Sequence, residues 1–172
     1  MDPQQRLLLE CAAKALRSEH SSGQTGTFDQ SAGIFVAIAA HDFLCDLLKD
    51  AASTTSAYAA TGANHAVASG RISFSLGLVG PCVSYDTACS SALAASHGAV
   101  RELRHTACGN ALVAGALLIL TPFRAYTYAS AGMTSRDGAC FTWDSRADGY
   151  LRGEAVATVV LSPRIRELCG TA

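Results

Sequence analysis

One cysteine in this sequence stands where its thiol could act as a nucleophile. Residues 83–93 read VSYDTACSSAL, so a strand-like stretch ends in a short polar turn, and Cys89 precedes small residues typical of a helix. The unpaired N–H groups and the dipole at a helix N-terminus favour a negative charge, and the thiolate is the reactive form of cysteine. The same N–H groups can stabilise a tetrahedral oxyanion. This spacing therefore makes Cys89 a candidate nucleophile with an oxyanion site beside it.

The residues next to Cys89 are expected to support it. Asp86 and Thr87 are predicted to cap the helix or to form the turn that holds the cysteine, and Ser90 is predicted to assist them. The alternative for Cys89 is a buried, unreactive thiol that packs beside these capping residues. The spacing alone leaves both interpretations open.

The other cysteines do not form a recognisable framework. The chain contains seven, an odd number at irregular spacing, with no C-x-x-C pair and no Cys/His pair at zinc-ligand spacing. This pattern argues against a secreted disulfide framework and predicts a reducing compartment with mostly buried thiols. No metal site is expected.

The elements that must position Cys89 follow from the hydrophobic pattern. Asp2 is expected to cap a first helix that fades near Ser18, with Gln5 closing a capping box, and Asp42 is expected to cap a short second helix. A longer helix is predicted over Ser90–Arg104, residues 121–150 are expected to be a long loop region, and Pro163 is expected to begin another helix. Apolar runs predict strands over Ile34–Ala40, Cys82–Tyr85, Ala111–Leu120 and Ala155–Leu161, and Ile72–Leu78 shows strand-like alternation. Alternating helices and apolar strands indicate an α/β protein with a buried, mostly parallel sheet.

Composition excludes several classes of protein. The 172 residues suit about one domain, and 49% hydrophobic with 16% charged residues excludes a disordered tail. A net charge of -1 provides no basic field for nucleic acid. No signal peptide is evident, and no apolar stretch reaches the roughly 18 residues of a membrane helix. Because charges are few, much of the surface is expected to meet more protein.

Longer motifs resemble a known family. Residues 61–93 read TGANHAVASGRISFSLGLVGPCVSYDTACSSAL and closely resemble the ketosynthase, or β-ketoacyl synthase, domains of polyketide and fatty-acid synthases. The similarity extends to four further segments in the family's order: DPQQRLLLE at 2–10, Ala114-Gly115 through Pro122, AGMTSRDG at 131–138, and WDSRADGYLRGE at 143–154.

The resemblance implies a fold and a reaction. It implies the thiolase-like layered αβαβα fold, mainly its N-terminal half, in a family that works as a homodimer. Cys89 would accept an acyl group from the phosphopantetheine arm of an acyl carrier protein. A malonyl-type extender would then lose CO2 and attack the Cys89 thioester, a decarboxylative Claisen condensation. No bound cofactor is implied, and Met133 would lie near the acyl tunnel and the dimer contact.

The sequence departs from the family at one essential point. The family uses two histidines, in HGTGT and GH motifs, with a lysine between, and none of these motifs occurs here. The five histidines are His20, His41, His65, His97 and His105. His65 and His97 are interpreted as structural. Residues 1–172 are therefore expected to be a partial ketosynthase domain that lacks its start and its C-terminal half, and to be inactive alone.

Other interpretations remain open. The motifs TACSS and ADGY favour the polyketide type over the fatty-acid synthase type of ketosynthase. A non-catalytic thiolase-fold partner subunit is disfavoured because such partners usually replace the nucleophile. An unrelated cysteine hydrolase would need a histidine near Cys89, and no sequence cue supplies one. A cytoplasmic location is the default, with the compartment open if an organelle presequence is missing; nucleic acid and a membrane span are not expected.

Overall fold

The computed structural model describes residues 1–21, 30–49, 56–105 and 107–163. The helices in these residues are α1 (Pro3–Ser21), α2 (Asp42–Leu47), α3 (Ala59–Ala63), α4 (Ala66–Leu76), α5 (Ser91–Arg104) and α6 (Phe123–Ser130). The strands are β1 (Gly33–Ile38), β2 (Cys82–Tyr85), β3 (Ala111–Leu117) and β4 (Ala155–Leu161). A single 3-10 turn, Ala88–Ser90, joins the end of β2 to the start of α5.

The four strands form one sheet in the order β2-β1-β3-β4. Strand β1 is parallel to both neighbours, so Ala37 lies opposite Tyr85 on one side and Gly115 on the other. Strand β4 runs antiparallel to β3. The predicted mostly parallel α/β sheet is confirmed. The carboxyl ends of β1, β2 and β3 consequently share one edge, which is where ligand sites of such sheets usually lie.

The sheet is covered by helices on both faces. Ile34, Val36 and Ile38 alternate with Phe35 and Ala37 along β1, because successive side chains of a strand point to opposite faces. The first face packs against α1 and α4, through residues that include Leu8, Ala12, Ala68 and Ile72. The second face packs against α5, whose small Ala95 and Ala99 are fully buried. The result is a helix–sheet–helix arrangement.

The start of α1 is capped as predicted, but by a different set of bonds. Asp2 Oδ1 accepts a hydrogen bond of 2.8 Å from the Gln4 N–H. The predicted capping box is wrong, because the Gln5 amide instead donates to the Asn64 carbonyl at 3.0 Å and Gln5 Oε1 accepts from Arg71 at 2.9 Å. Asn64, which follows α3, and Arg71 of α4 thus provide the hydrogen-bond partners of the Gln5 side chain.

Two segments assigned other structures from sequence are helical. The alternating stretch at 72–78 belongs mostly to α4, which ends at Gly77 in the left-handed conformation with φ 66°. Ala68 and Ile72 are four residues apart and both buried, so the same residues also fit a helical repeat. The predicted loop over 121–150 contains α6, which follows Pro122 directly. The helix predicted from Pro163 falls largely outside the described residues.

The expectation of mostly buried thiols is wrong for the part of the chain that the structure describes. There Cys108 is buried and Cys11 is half-buried, but the remaining cysteines are exposed: Cys45, Cys82, Cys89 and Cys140. The exposed cysteines lie in α2, in the edge strand β2, in the 3-10 turn and in the loop before β4. None of these four cysteines belongs to the buried core on either face of the sheet. The apolar character of a cysteine side chain is therefore not sufficient to predict that it is buried.

None of the described helices combines the length and the apolar composition that are needed to cross a membrane.

Candidate active site

Cys89 lies at the carboxyl edge of the sheet and is exposed. Strand β2 ends at Tyr85, Asp86 and Thr87 form a short turn, and Cys89 is the middle residue of the 3-10 turn that leads into α5. Helix α5 has 14 residues, so its N-terminal N–H groups and dipole act on the turn that carries the thiol. Cys89 is therefore not buried, and its role as the nucleophile stays a prediction.

Ser91 closes the turn around Cys89. Its hydroxyl accepts a hydrogen bond of 2.8 Å from the Thr87 N–H and donates one of 2.7 Å to the Ala88 carbonyl. Asp86 Oδ1 accepts from the Ala88 N–H at 3.2 Å. These bonds hold Ala88 at φ 54°, a left-handed conformation that a residue other than glycine rarely adopts. The side chains of Asp86 and Ser91 thus fix the backbone around Ala88, the residue before Cys89.

Ser90 and Thr87 contribute a second set of bonds on the outer side of the turn. Ser90 Oγ lies 2.8 Å from the Thr87 carbonyl and 2.9 Å from Thr87 Oγ1. The sequence singled out Ser90 and missed Ser91, although Ser91 is buried and makes the bonds that span the turn. The sequence does not distinguish the roles of two adjacent serines, because their roles depend on which of them begins the helix.

Strand β2 is held by one contact on each face of the sheet. The Ser84 hydroxyl donates a 3.0 Å hydrogen bond to Ser69 Oγ on α4. On the other face, the Tyr85 ring packs against Gly98 of α5. Both contacts depend on small residues, which permit close approach. The sequence shows that these residues are small, but it does not show which residues they contact. Together they set the position from which the Cys89 turn starts.

A buried polar cluster lies at the same edge, beyond the end of β1. The rings of His41 and His65 stack with centroids 4.1 Å apart and planes inclined by 12°. His65 Nε2 lies 3.5 Å from Asp2 Oδ2. Burial lowers the pKa of His41 below its ordinary 6.5, and His65 lowers it further, while Asp86 opposes this shift. His65 was interpreted as structural, and His41 gave no sequence signal at all.

Asp42 belongs to this edge but does not cap α2. It is the first helical residue, after His41, and its buried carboxylate is used elsewhere. Asp42 Oδ1 accepts from Arg124 Nε at 2.8 Å, and Oδ2 accepts from the Leu120 and Thr121 N–H groups at 3.3 Å. The predicted cap is therefore wrong, because the chain after β3 brings three donors to this carboxylate.

The segment after α6 carries Met133. Its side chain is 44% exposed, and its backbone bonds to the Tyr128 carbonyl and the Tyr150 N–H, at 2.9 and 3.1 Å. A groove of about 340 Å³ lies between α6 and this segment, lined by Tyr126, Thr134, Tyr150 and Arg152 among others. Met133 is not among its lining residues, so the tunnel role of Met133 stays a prediction.

Within residues 1–21, 30–49, 56–105 and 107–163, no three His, Cys, Asp or Glu side chains are grouped so that they could hold a metal ion.

A layered α/β fold with a cysteine at a helix N-terminus on the carboxyl edge defines a class, the thiolase-like fold of the ketosynthases. The chain belongs to the β-ketoacyl synthase family: the family described as "Beta-ketoacyl synthase, N-terminal domain" matches residues 1–165.

Curated relatives are polyketide synthases. The chain is 42% identical over 161 residues to lovastatin nonaketide synthase mokA of Monascus pilosus, covering 94% of this chain and 5% of that protein. It is 38% identical over 162 residues to the mycocerosic acid synthase-like polyketide synthase of Mycolicibacterium smegmatis, covering 94% of this chain and 8% of that one. The chain therefore spans less than a tenth of the length of these two relatives.

Solved structures agree with this assignment. The ketosynthase from module 6 of the bacillaene synthase from Bacillus subtilis 168 superposes with a TM-score of 0.80 at 31% identity. The alignment covers 97% of this chain and 27% of that one. The predicted family and the thiolase-like fold are confirmed, and the polyketide interpretation is supported over the alternatives.

Proposed function

We propose that this chain forms part of a polyketide synthase ketosynthase in which Cys89 is the acyl-accepting nucleophile. The observation that carries the proposal is the exposed Cys89 thiol on a strained turn at the N-terminus of α5. The thiol in this position is open to a thioester in solvent, and the N–H groups at the helix N-terminus can stabilise an oxyanion that forms beside it. The similarity to polyketide synthases supports the substrate class.

The reaction divides into two steps, as covalent catalysis requires. First, the Cys89 thiolate attacks the carbonyl carbon of an acyl thioester on the phosphopantetheine arm of an acyl carrier protein, and the phosphopantetheine thiolate leaves. Second, a malonyl-type thioester loses CO2, and the resulting carbanion attacks the Cys89 thioester. A C–C bond forms, the bond to Cys89 Sγ breaks, and the β-ketoacyl product stays on the carrier.

The remaining parts of the proposal concern the assembly. Residues 1–172 are part of a larger ketosynthase domain that acts as a homodimer, needs no bound cofactor of its own, and works in the cytoplasm. Asp86, Thr87 and Ser90 support the nucleophile through the turn that they form. Met133 contributes to the acyl tunnel in that larger domain.

The nucleophile is tested by acylation with a radiolabelled short-chain N-acetylcysteamine thioester, which mimics the end of the phosphopantetheine arm. After proteolysis, the label is expected on the peptide that contains Cys89. The chain supplies matched internal controls, since Cys45, Cys82 and Cys140 are also exposed but none of them lies at the N-terminus of a helix of comparable length. Equal labelling of these cysteines, or undiminished labelling in Cys89→Ser, would overturn the assignment of Cys89.

Condensation by the chain alone is a separate expectation. The histidine motifs of the family do not occur in the sequence, so acylated chain supplied with a malonyl thioester is expected to form no β-ketoacyl product. Product formation, measured by mass spectrometry, would show that other residues supply this chemistry. Release of the free acid from acylated Cys89 would instead favour the hydrolase alternative.

A further inference from the structure

The groove between α6 and the segments at 134–135 and 150–152 is a cavity that the acyl-transfer chemistry does not use. Its volume is about 340 Å³, which is within the range of small-ligand sites. Most of its wall is apolar, and neither Cys89 nor Met133 lines it. The lining residues that matter most here are Ala125, Tyr126, Ala129, Tyr150, Leu151 and Arg152. A cavity of this size and composition can hold a small apolar group.

Arg152 brings a positive charge to the groove without an anion to neutralise it. Among the described residues, it is the one charged side chain that lines the groove. Arg152 is half-buried, and its Nη1 is buried without a hydrogen-bond partner. No carboxylate of the described residues forms an ion pair with it. A buried N–H donor without an acceptor and a half-buried charge without a partner are both costly, so the groove suits an anion.

Tyr128 of α6 holds this guanidinium group in place. Arg152 Cζ lies 5.0 Å from the centroid of the Tyr128 ring, in a cation–π contact. Arg124 Nη1 donates a hydrogen bond of 3.4 Å to the hydroxyl of the same tyrosine. Arg124 has a carboxylate of its own, because its Nε lies 2.8 Å from Asp42 Oδ1. Two guanidinium groups therefore meet one tyrosine with a single carboxylate to neutralise them, and the charge left over is that of Arg152.

We propose that the groove binds a small aliphatic carboxylate, with the carboxylate on Arg152 and the apolar body along Ala125 and Ala129 of α6. The planar guanidinium delocalises its charge and pairs with a carboxylate through two parallel hydrogen bonds. Because Arg152 is already held over Tyr128, it loses little side-chain freedom when the anion binds. This binding site does not depend on acyl transfer by Cys89.

The test is a titration of the isotope-labelled 172-residue chain with sodium octanoate, followed by NMR. Saturable shifts are expected for the backbone amides of Ala125, Ala129 and Arg152. Octanamide has the same apolar body without the charge, and acetate has the charge without the body, so each is expected to bind at least about tenfold more weakly. Absence of a saturable shift, or octanamide binding as tightly as octanoate, would overturn the proposal.

Octanoate can also act as a detergent on any exposed apolar side chain. Phe74 on α4 is 90% exposed and does not line the groove, so its resonances are an internal control. Shifts of Phe74 as large as those of Ala125 and Ala129 would mean an adventitious additive only, and would contradict the site. If the chain self-associates in sedimentation and octanoate separates the copies, the groove is a contact between copies and the proposal is wrong.

Variants separate the charge of Arg152 from the shape of the groove. Arg152→Gln is expected to weaken octanoate binding about tenfold, to the level of octanamide. Arg136→Gln is the matched control, because Arg136 is exposed, follows Ser135 and does not line the groove, and it should leave binding unchanged. Ala129→Leu fills the groove from α6, keeps the charge and should abolish binding, so it decides the question if Arg152→Gln does not fold. Unchanged binding in Ala129→Leu, or an equal loss in Arg136→Gln, contradicts the proposed site.

Discussion

The hydroxyl of Tyr85 occupies the space that a β-carbon on Gly98 would fill. Tyr85 is the last residue of β2, and Gly98 lies in the middle of α5, so this contact sets the distance between the strand and the helix on either side of Cys89. Phe35 of β1 also borders the same point at 3.5 Å. The position of the Cys89 turn therefore depends on the absence of a side chain at Gly98, nine residues later in the chain.

Gly98→Ala is expected to destabilise the chain, although alanine ordinarily favours a helix. The added methyl group forces the Tyr85 ring or α5 to move, and such overpacking costs about 1–3 kcal/mol. Gly70→Ala in α4 is the control, because no atom lies within 4 Å of its β-carbon position, and it should be neutral or stabilising by up to about 1 kcal/mol. Urea unfolding measures both, and equal effects of the two substitutions would contradict the role of Tyr85.

The elements and the turn that carries Cys89 could be predicted from the sequence because both depend on local patterns. The run over Ala155–Leu161 became β4 with the predicted bounds, and the polar turn before Cys89 lies where the spacing put it. The parallel sheet followed from the alternation of helices with apolar strands. These features are encoded within segments of ten to fifteen residues.

The features that sequence reasoning missed are contacts between distant segments. The large apolar side chains of Leu93 and Val100 on α5 are exposed, and the buried face of the helix consists of Ser91, Ala95 and Ala99. Small residues pack there because the Phe35 and Tyr85 rings already fill the space. Likewise, nothing local indicates that Asp42 would meet Arg124, which lies 82 positions later in the chain.

Asp42→Asn is expected to lower the free energy of unfolding by about 2 kcal/mol, because it leaves the half-buried Arg124 without its charged, buried partner. The control is Asp46→Asn, which breaks an exposed pair between Asp46 of the same helix and Lys49 just after it, and which should cost less than about 1 kcal/mol. Thermal unfolding followed by circular dichroism distinguishes the two. Similar losses in both variants would mean that burial adds nothing to the Asp42–Arg124 pair.

Ser91→Ala is expected to reduce the rate of Cys89 acylation about tenfold, because a displacement of the nucleophile of about 1 Å or less is sufficient for such a loss. The substitution removes both hydrogen bonds that close the turn, to the Thr87 N–H and the Ala88 carbonyl. Ser91→Thr keeps the hydroxyl and should restore most of the rate. Ser96→Ala removes a 2.8 Å hydroxyl-to-backbone bond on the same helix and should leave the rate unchanged. If Ser96→Ala slows acylation as much as Ser91→Ala does, general loosening of α5 is the cause and the positioning role fails.

The stability of the chain should depend on the charge of His41. Burial lowers the pKa of His41 in the folded chain below the 6.5 that it has when unfolded, so the unfolded state binds this proton more readily. The contribution of His41 is therefore fully present above pH 6.5 and is lost as the pH falls from there through the folded pKa. Urea unfolding at pH 7.5 and 5.5 is expected to show a smaller decrease in the free energy of unfolding for His41→Gln than for the unsubstituted chain. Carboxylates contribute equally to both proteins, so an identical decrease in the two would show that His41 titrates alike in the folded and unfolded states.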